Sequence, residues 1–263
     1  MRKDAMLELD NISRHFGGVK AVDGLSLQVR RGEILGLIGP NGSGKSTTVN
    51  LIAGLYAPLA GTIRFEGRDI GALPPHRRAE LGIARTFQNI RLFSQLTVWQ
   101  NVWAARVVRE GGWAGFKARW LAGASAAREE AETLLQFSGL ADKRDHLAGN
   151  LAFGEQRRLE LARAAASGAP LLLLDEPAAG MNAEEIEELD QRIRALREQG
   201  RTILLIEHHM ALVMGVCDRV VVLNFGRKIA EGTPAAVQDD PEVRAAYLGT
   251  DDSDGLINAA LAA

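Results

Sequence analysis

The chain has 263 residues, 46% of them hydrophobic and 24% charged, the balance of a folded chain with room for one large or two small domains. Its formal net charge of −2 lacks the basic excess that a duplex-binding surface needs, which argues against nucleic acid as the main partner. The single cysteine, Cys217, excludes an intrachain disulfide and reads as a small core residue, and no Cys/His cluster has zinc spacing.

Residues 1–4 run straight into an alternating pattern, so no apolar leader is expected. No window reaches the roughly 18 apolar residues of a membrane-crossing helix, so a membrane role has to come through a partner. Residues 6–9, 25–30 and 62–65 alternate apolar with polar side chains and predict half-exposed antiparallel strands in one layer. Between the second and third lies the apolar run Ile34-Leu35-Gly36-Leu37-Ile38, followed by Gly39-Pro40-Asn41-Gly42-Ser43-Gly44-Lys45-Ser46-Thr47. A buried strand that leads through a glycine-rich loop into a helix is a cradle for phosphate. Without Cβ atoms the backbone can curl until successive N–H groups converge on an anion, and the helix adds the positive end of its dipole. Lys45 supplies a full charge for the β- and γ-phosphates of a nucleotide, and the Ser46 hydroxyl is placed to ligate Mg2+.

From about residue 98 to 167 strand signals vanish and Ala, Arg and Glu dominate, predicting a helical subdomain inserted into an α/β core. Gly111-Gly112-Trp113-Ala114-Gly115 interrupts it. All four tryptophans, Trp99, Trp103, Trp113 and Trp120, fall inside it, either as packing or as an apolar surface for a partner. Near its end, Leu151-Ala152-Phe153-Gly154-Glu155-Gln156-Arg157-Arg158 places a glycine at the start of a helix whose N-terminus can face an anion.

Residues 171–174 are an unbroken apolar run that ends in Asp175-Glu176-Pro177. Adjacent carboxylates at the end of a buried strand are costly unless a cation or hydrogen bonds hold them. Mg2+ supplies a reason: Asp175 would hold the ion, directly or through water, while Glu176 would polarise the water that attacks a γ-phosphate. Residues 183–199 carry Ile186, Leu189, Ile193 and Leu196 at helical spacing, and residues 203–206 are a second apolar run. Together they predict a β-α-β crossover between parallel strands covered on both faces. The stretch from Thr250 is Asp-rich, then Ala-rich, and is expected to fray and to carry no chemistry.

The phosphate loop and the Asp175-Glu176 pair by themselves leave GTPases, kinases and helicases open. With the Gly154 segment shortly before the Asp175-Glu176 strand, the chain resembles the ATP-binding-cassette (ABC) ATPases. The resemblance implies an α/β fold, a P-loop NTPase core with an antiparallel β subdomain and an inserted helical subdomain. It implies one cassette over residues 1–249 with a tail at 250–263. ATP and Mg2+ are the implied cofactors, and the active form is a head-to-tail dimer. In it Ala152, Phe153, Gly154, Glu155 and Gln156 of one subunit cover the nucleotide in the phosphate loop of the other.

Further positions match the family one by one. Phe16, in His15-Phe16-Gly17-Gly18, matches the aromatic residue that stacks on adenine, although a lone Phe is also ordinary core. Gln88, in Thr86-Phe87-Gln88-Asn89, matches the glutamine that reaches Mg2+ and the lytic water and couples them to the membrane subunits. His208 matches the switch histidine, which contacts the γ-phosphate and the catalytic glutamate; imidazole suits that work because its charge changes near neutral pH. His209 stands where the family usually has an acid, so the choice between the two rests on register. Ala152 replaces the usual serine and Asn182 the usual aspartate. One lost hydroxyl costs about 1 kcal/mol, and backbone N–H groups near Gly154 still face a phosphate.

These departures resemble one subfamily, the ATP-binding subunits of importers for branched-chain and related hydrophobic amino acids or amides. Arg85-Thr86-Phe87-Gln88-Asn89-Ile90-Arg91-Leu92-Phe93, Glu176-Pro177-Ala178-Ala179-Gly180-Met181-Asn182, Glu207-His208-His209-Met210 and Tyr247-Leu248-Gly249 carry that resemblance. It implies a second cassette, sister or self, two membrane permease subunits and a substrate-binding protein. The chain would then sit on the cytoplasmic face of the inner membrane, with Ile90 to Phe93 in a groove that receives a permease helix. Alternatives are another cargo such as urea or aromatic acids, and an exporter or lipid-extraction cassette. A soluble cassette acting on DNA or ribosomes usually brings paired cassettes, a long coiled coil or a basic excess, none of which is visible.

Overall fold

The computed structural model describes residues 5–107 and 124–247, so the glycine-rich break at 111–115, Trp113, Trp120 and the tail from Thr250 lie outside the described residues. The strands are β1 (Ala5–Phe16), β2 (Val19–Arg30), β3 (Ile34–Ile38), β4 (Ala60–Phe65), β5 (Arg68–Asp69), β6 (Ile83–Arg85), β7 (Leu171–Asp175), β8 (Thr202–Ile206), β9 (Arg219–Asn224) and β10 (Arg227–Gly232). One sheet has the order β2-β1-β4-β5 and is antiparallel throughout, which places all three alternating segments in one layer as expected. The other has the order β10-β9-β3-β8-β7-β6, parallel from β9 to β6 with β10 antiparallel at its edge.

Apolar runs without alternation arise because both faces of the second sheet are covered. Ile34, Ile38, Leu172, Leu174, Ile203 and Leu205 enter one core, with α6 (Ala183–Glu198) and α7 (Met210–Val216). Their neighbours Leu35, Leu37, Leu171, Leu173, Leu204 and Ile206 enter another, shared with the antiparallel sheet and with α1 (Lys45–Ala53). Gly36 is the exception in β3, and a Cβ there would lie 2.9 Å from the Cys217 sulfur. Cys217 is the small core residue expected, its thiol pushed up to about 12 by burial.

The helix expected at 183–199 is α6, and its buried side chains are Ile186, Leu189, Ile193 and Leu196. Asn182 caps it: Asn182 Oδ1 accepts the Glu185 N–H at 3.0 Å, and the Glu185 carboxylate accepts the Asn182 N–H at 2.9 Å. Asparagine caps as well as aspartate, so this departure leaves the helix start intact.

Between β6 and β7 in the chain, α3 (Val98–Val107), α4 (Ala124–Phe137) and α5 (Phe153–Ala166) gather around Val98, Val102, Ala131, Leu135, Leu159 and Ala162. Trp99 packs on this cluster with its ring stacked on Trp103, centroids 5.1 Å apart.

Arg78, in α2 (Pro75–Leu81), is the largest fully buried side chain among the described residues, and nothing local in the sequence marks it. Its guanidinium donates to the carbonyls of Leu51 and Ile52 at the end of α1, and to those of Gly71 and Leu73. Burial lowers its pKa to about 10, so it stays charged at neutral pH. A cation on the last carbonyls of α1 favours its dipole and anchors the helix whose other end opens the phosphate loop.

Candidate nucleotide site

The loop between β3 and α1 turns on Gly39, Gly42 and Gly44, with φ of 148°, 78° and 108°. That left-handed region is open to glycine at no steric cost. Space demands the same residue: a Cβ on Gly39 would fall 2.1 Å from the Leu223 carbonyl, and one on Gly44 2.4 Å from that of Ala21. The Gly226 N–H donates to the Ser43 carbonyl at 2.9 Å, so the β9–β10 turn braces the loop. Pro40 is buried, whereas Asn41, Gly42 and Ser46 are exposed and Thr47 is half-buried. Lys45 is buried and its ammonium folds back on the carbonyls of Gly39 and Pro40 at 2.5 and 3.0 Å.

On the neighbouring strands the acids take separate partners. Asp175 is 4% exposed and accepts a hydrogen bond from Arg85 Nη2 at 2.7 Å, while Arg85 Nη1 donates to Asn50 Oδ1 on α1 at 2.6 Å. The aspartate read as an ion holder is thus already in an ion pair that ties β7 to the helix of the phosphate loop. Glu176 has φ of 48°, uncommon outside glycine, and its N–H donates to the Ile206 carbonyl at 2.9 Å. Gln88 Nε2 donates to Glu176 Oε2 at 2.8 Å, bringing together two candidates 88 positions apart. His208 and His209 follow β8 with both rings exposed, and His209 is the N-cap position of α7. Among the described residues, no hydrogen bond joins the His208 ring to Glu176.

The Gly154 segment opens α5 as expected, but its side chains divide. Glu155 accepts from Lys143 Nζ at 2.5 Å and from the Ala152 N–H at 3.1 Å, and the lysine bond holds its carboxyl below the usual range. Gln156 Nε2 donates to the Leu151 carbonyl at 2.9 Å. Gly154 is buried against α6, where a Cβ would fall 2.1 Å from Glu185 Oε1. Ala152 and the 49% exposed Phe153 ring are the exposed side chains of the segment, while the half-buried Glu155 and Gln156 side chains bond within their own chain.

Ala152 occupies the N-cap of α5 with extended geometry, φ −61° and ψ 157°, yet has no side-chain oxygen to offer. Glu155 therefore completes only half of a capping box. Ala152→Ser supplies the other half, which is worth about 1 kcal/mol. Its melting temperature is expected to rise by about 2–4 °C, with ATP turnover changed only several-fold. Complete loss of turnover would show that the backbone turn cannot work beside a serine.

Several residues of the site carry no sequence motif of their own. Arg157 donates to the carbonyls of Phe87 and Gln88 at 2.9 and 2.5 Å, and Glu160 accepts the Phe87 N–H at 3.2 Å. Burial pushes the Glu160 carboxyl up despite its pair with Arg157 at 3.3 Å. The helix that presents Phe153 thereby grips the loop that presents Gln88; the signal available was an Arg and a Glu three apart inside an otherwise buried helix. Phe16 is 39% exposed at the end of β1, so it is not core, and Tyr56 meets it edge-on at 5.2 Å with Arg14 over both rings. Tyr56 comes from 40 residues away and no local pattern pairs the two.

The loop fits the phosphates of a nucleotide. A buried cation, tightly turned backbone and the Ser43 hydroxyl, buried without a hydrogen-bond partner, share a space that a Cβ on Gly39 would enter at 2.6 Å from Ser43 Oγ. Among the described residues no group of three or more His, Cys, Asp or Glu could cage a metal. The Ser46 hydroxyl, Gln88 and Asp175 suit Mg2+, which keeps several waters and takes phosphate oxygens as ligands.

A family model described as "ABC transporter" matches residues 22–179, and one described as "Branched-chain amino acid ATP-binding cassette transporter" matches residues 227–253. The high-affinity branched-chain amino acid transport ATP-binding protein LivG of Salmonella typhimurium is 43% identical over 249 residues, covering 93% of this chain and 98% of LivG. An ATP-binding cassette of an ABC transporter in its ADP conformation superposes with a TM-score of 0.82 at 32% identity, over 93% of this chain and 99% of that one. A dimeric cassette in a post-hydrolysis state, bound to ADP and Pi, does so with a TM-score of 0.76 at 25% identity, over 87% and 99%. The two sheets, the glycine loop and the acids at the end of β7 are thus the parts of a known machine, and this chain belongs to the ABC transporter family as an ATP-binding cassette ATPase that drives transport.

Proposed function

We propose that the chain is the ATP-hydrolysing subunit of an importer for branched-chain amino acids or related hydrophobic amino acids and amides. One observation carries the coupling: the 2.8 Å bond from Gln88 to Glu176 joins the acid at the phosphate end of β7 to a loop on the rim of a surface groove. That groove, about 440 Å3, is lined by Leu55, Phe87, Arg91, Ala105 and Arg163 among others, and the exposed Phe93 lies beside it under Arg163. It is the place for a helix of a permease subunit. Movement of such a helix would reach Glu176 through Gln88, and α5 through the grip of Arg157 on the same loop.

In this reading Lys45 and backbone N–H groups of the loop at residues 39–47 hold the β- and γ-phosphates, and Phe16 stacks on adenine. Ser46, Gln88 and Asp175, the last beside its ion pair with Arg85, would hold Mg2+, which when bound would neutralise charge on the phosphates. Glu176 orients and polarises the attacking water, and His208 faces the γ-phosphate. Ala152, Phe153 and the start of α5 in a second cassette, sister or identical, close over the nucleotide; the dimeric relative bound to ADP and Pi supports this arrangement. Residues 1–249 act as one cassette with the helices of about 98–167 as its subdomain. Among the described residues no helix is long and apolar enough to cross a membrane; in this reading the cassette attaches at the cytoplasmic face by way of the permease.

LivG and the match at residues 227–253 support the cargo. The test is transport by the full complex, with its permease and substrate-binding protein, in vesicles loaded with ATP. Leucine uptake that stops without ATP is the expected result. Uptake of urea or aromatic acids in place of leucine would reassign the cargo, and outward transport would reassign the direction.

A further inference from the structure

Glu207 lies one residue past β8, is 1% exposed and has no part in the roles above. Its carboxylate divides its two oxygens between two loops. Oε1 accepts the Ala178 N–H at 2.8 Å, while Oε2 accepts the N–H groups of His208 and His209 at 3.0 and 3.1 Å. Among the described residues the one basic side chain in ion-pair range is the His208 ring, with Nδ1 at 3.9 Å. A buried carboxylate without an Arg or Lys has to be held by N–H donors, and here three backbone donors do so.

The two loops are the ones that matter for hydrolysis. Ala178 lies two residues after Glu176, whose own N–H is bonded to the Ile206 carbonyl. His208 follows Glu207 directly. We infer that Glu207 is a positioning residue that clamps the loop carrying Glu176 to the loop carrying His208, fixing how two groups approach one γ-phosphate. The inference rests on the proposed roles of Glu176 and His208. The clamped loop continues to Gly180, where a Cβ would fall 2.8 Å from Phe153 Cε1, so its position also bears on the ring offered to the partner's nucleotide. Only a carboxylate suits the place, because an amide would turn two donors toward backbone donors on one side.

Glu207→Gln keeps the shape but offers a single acceptor oxygen, so either Ala178 or the two histidine amides lose their bond. In the dimeric cassette, kcat for ATP is expected to fall about 10- to 100-fold with KM unchanged. In the nucleotide-free protein, amide hydrogen exchange should quicken at Ala178 or at His208 and His209, with little change elsewhere. His208→Ala and the double variant complete a cycle. If Glu207 acts through the placement of His208, the double variant is no slower than the slower single one. A loss in the double variant equal to the product of the two single losses overturns the clamp, as does a wild-type kcat in Glu207→Gln. His208→Ala turning over at the wild-type rate would instead remove His208 from the site. Should Glu207→Gln fail to fold, Glu207→Asp withdraws the same charge by one methylene; reduced kcat at unchanged KM is expected, and full activity overturns the clamp.

Discussion

Glu176→Gln is expected to bind ATP with wild-type affinity and to hydrolyse it at least about 100-fold more slowly, the scale of losing a positioned general base. The replacement is nearly isosteric, and the bond from Gln88 Nε2 can still be accepted by the new amide oxygen. What disappears is the negative charge that polarises water. The side chain is half-buried at the end of β7 on a residue with φ of 48°, a strained setting that points to a demand for placement. Nucleotide binding by fluorescence and phosphate release by the assembled cassette dimer separate the two effects. A variant that hydrolyses ATP at the wild-type rate would remove Glu176 from the chemical step.

The second large effect is expected for Lys45→Ala. Its buried ammonium sits among the carbonyls of Gly39 and Pro40, in the loop that turns on Gly39, Gly42 and Gly44. A phosphate arriving there would take over a cation already desolvated, so the hydrogen bonds are charge-assisted and strong. Loss of about 3 kcal/mol, close to 100-fold or more in nucleotide affinity, follows from removing them. Without nucleotide the variant also takes the lysine donor from the Gly39 carbonyl, while the Pro40 carbonyl keeps the Ser43 N–H, so its own melting temperature should be measured beside the binding curve. Unchanged affinity in a folded Lys45→Ala protein would mean that phosphate binds elsewhere.

The clamp at Glu207 and the grip of Arg157 make the site a set of bonded loops. Gln88 is held through its own carbonyl and that of Phe87, both accepting from Arg157, and its side chain reaches Glu176; Glu176 is followed by Ala178 on Glu207; Glu207 holds His208. A displacement at the groove proposed for the permease therefore has a bonded route to each proposed catalytic group. Packed, hydrogen-bonded loops of this kind move between discrete arrangements, which is what coupling transport to hydrolysis requires.

Much of the fold was legible from local rules. The β3 run and the glycine loop, the alternating strands of the first sheet and the four buried residues of α6 all follow from periodicity and from the steric freedom of glycine. Those rules act within a few residues, so one dimension contains them. The residue types at Lys45, Asp175 and Glu176 pointed to phosphate, metal and water chemistry, which each demand particular donors, whereas Gln88 and His208 were singled out only by the resemblance to the ABC ATPases.

The tertiary structure alone decided how those groups are held. It put Asp175 in an ion pair with Arg85, turned Glu155 and Gln156 back on their own chain, set Tyr56 against Phe16, and buried Arg78 and Glu207 as anchors of loops. The Gln88 to Glu176 bond spans 88 positions and the Glu207 to Ala178 bond 29. Such partners are chosen by which strand lies beside which, and by which buried polar groups would otherwise go without a hydrogen bond. A chain read residue by residue declares the chemistry it can perform; the geometry that joins those residues exists only once the two sheets and the helices have closed around them.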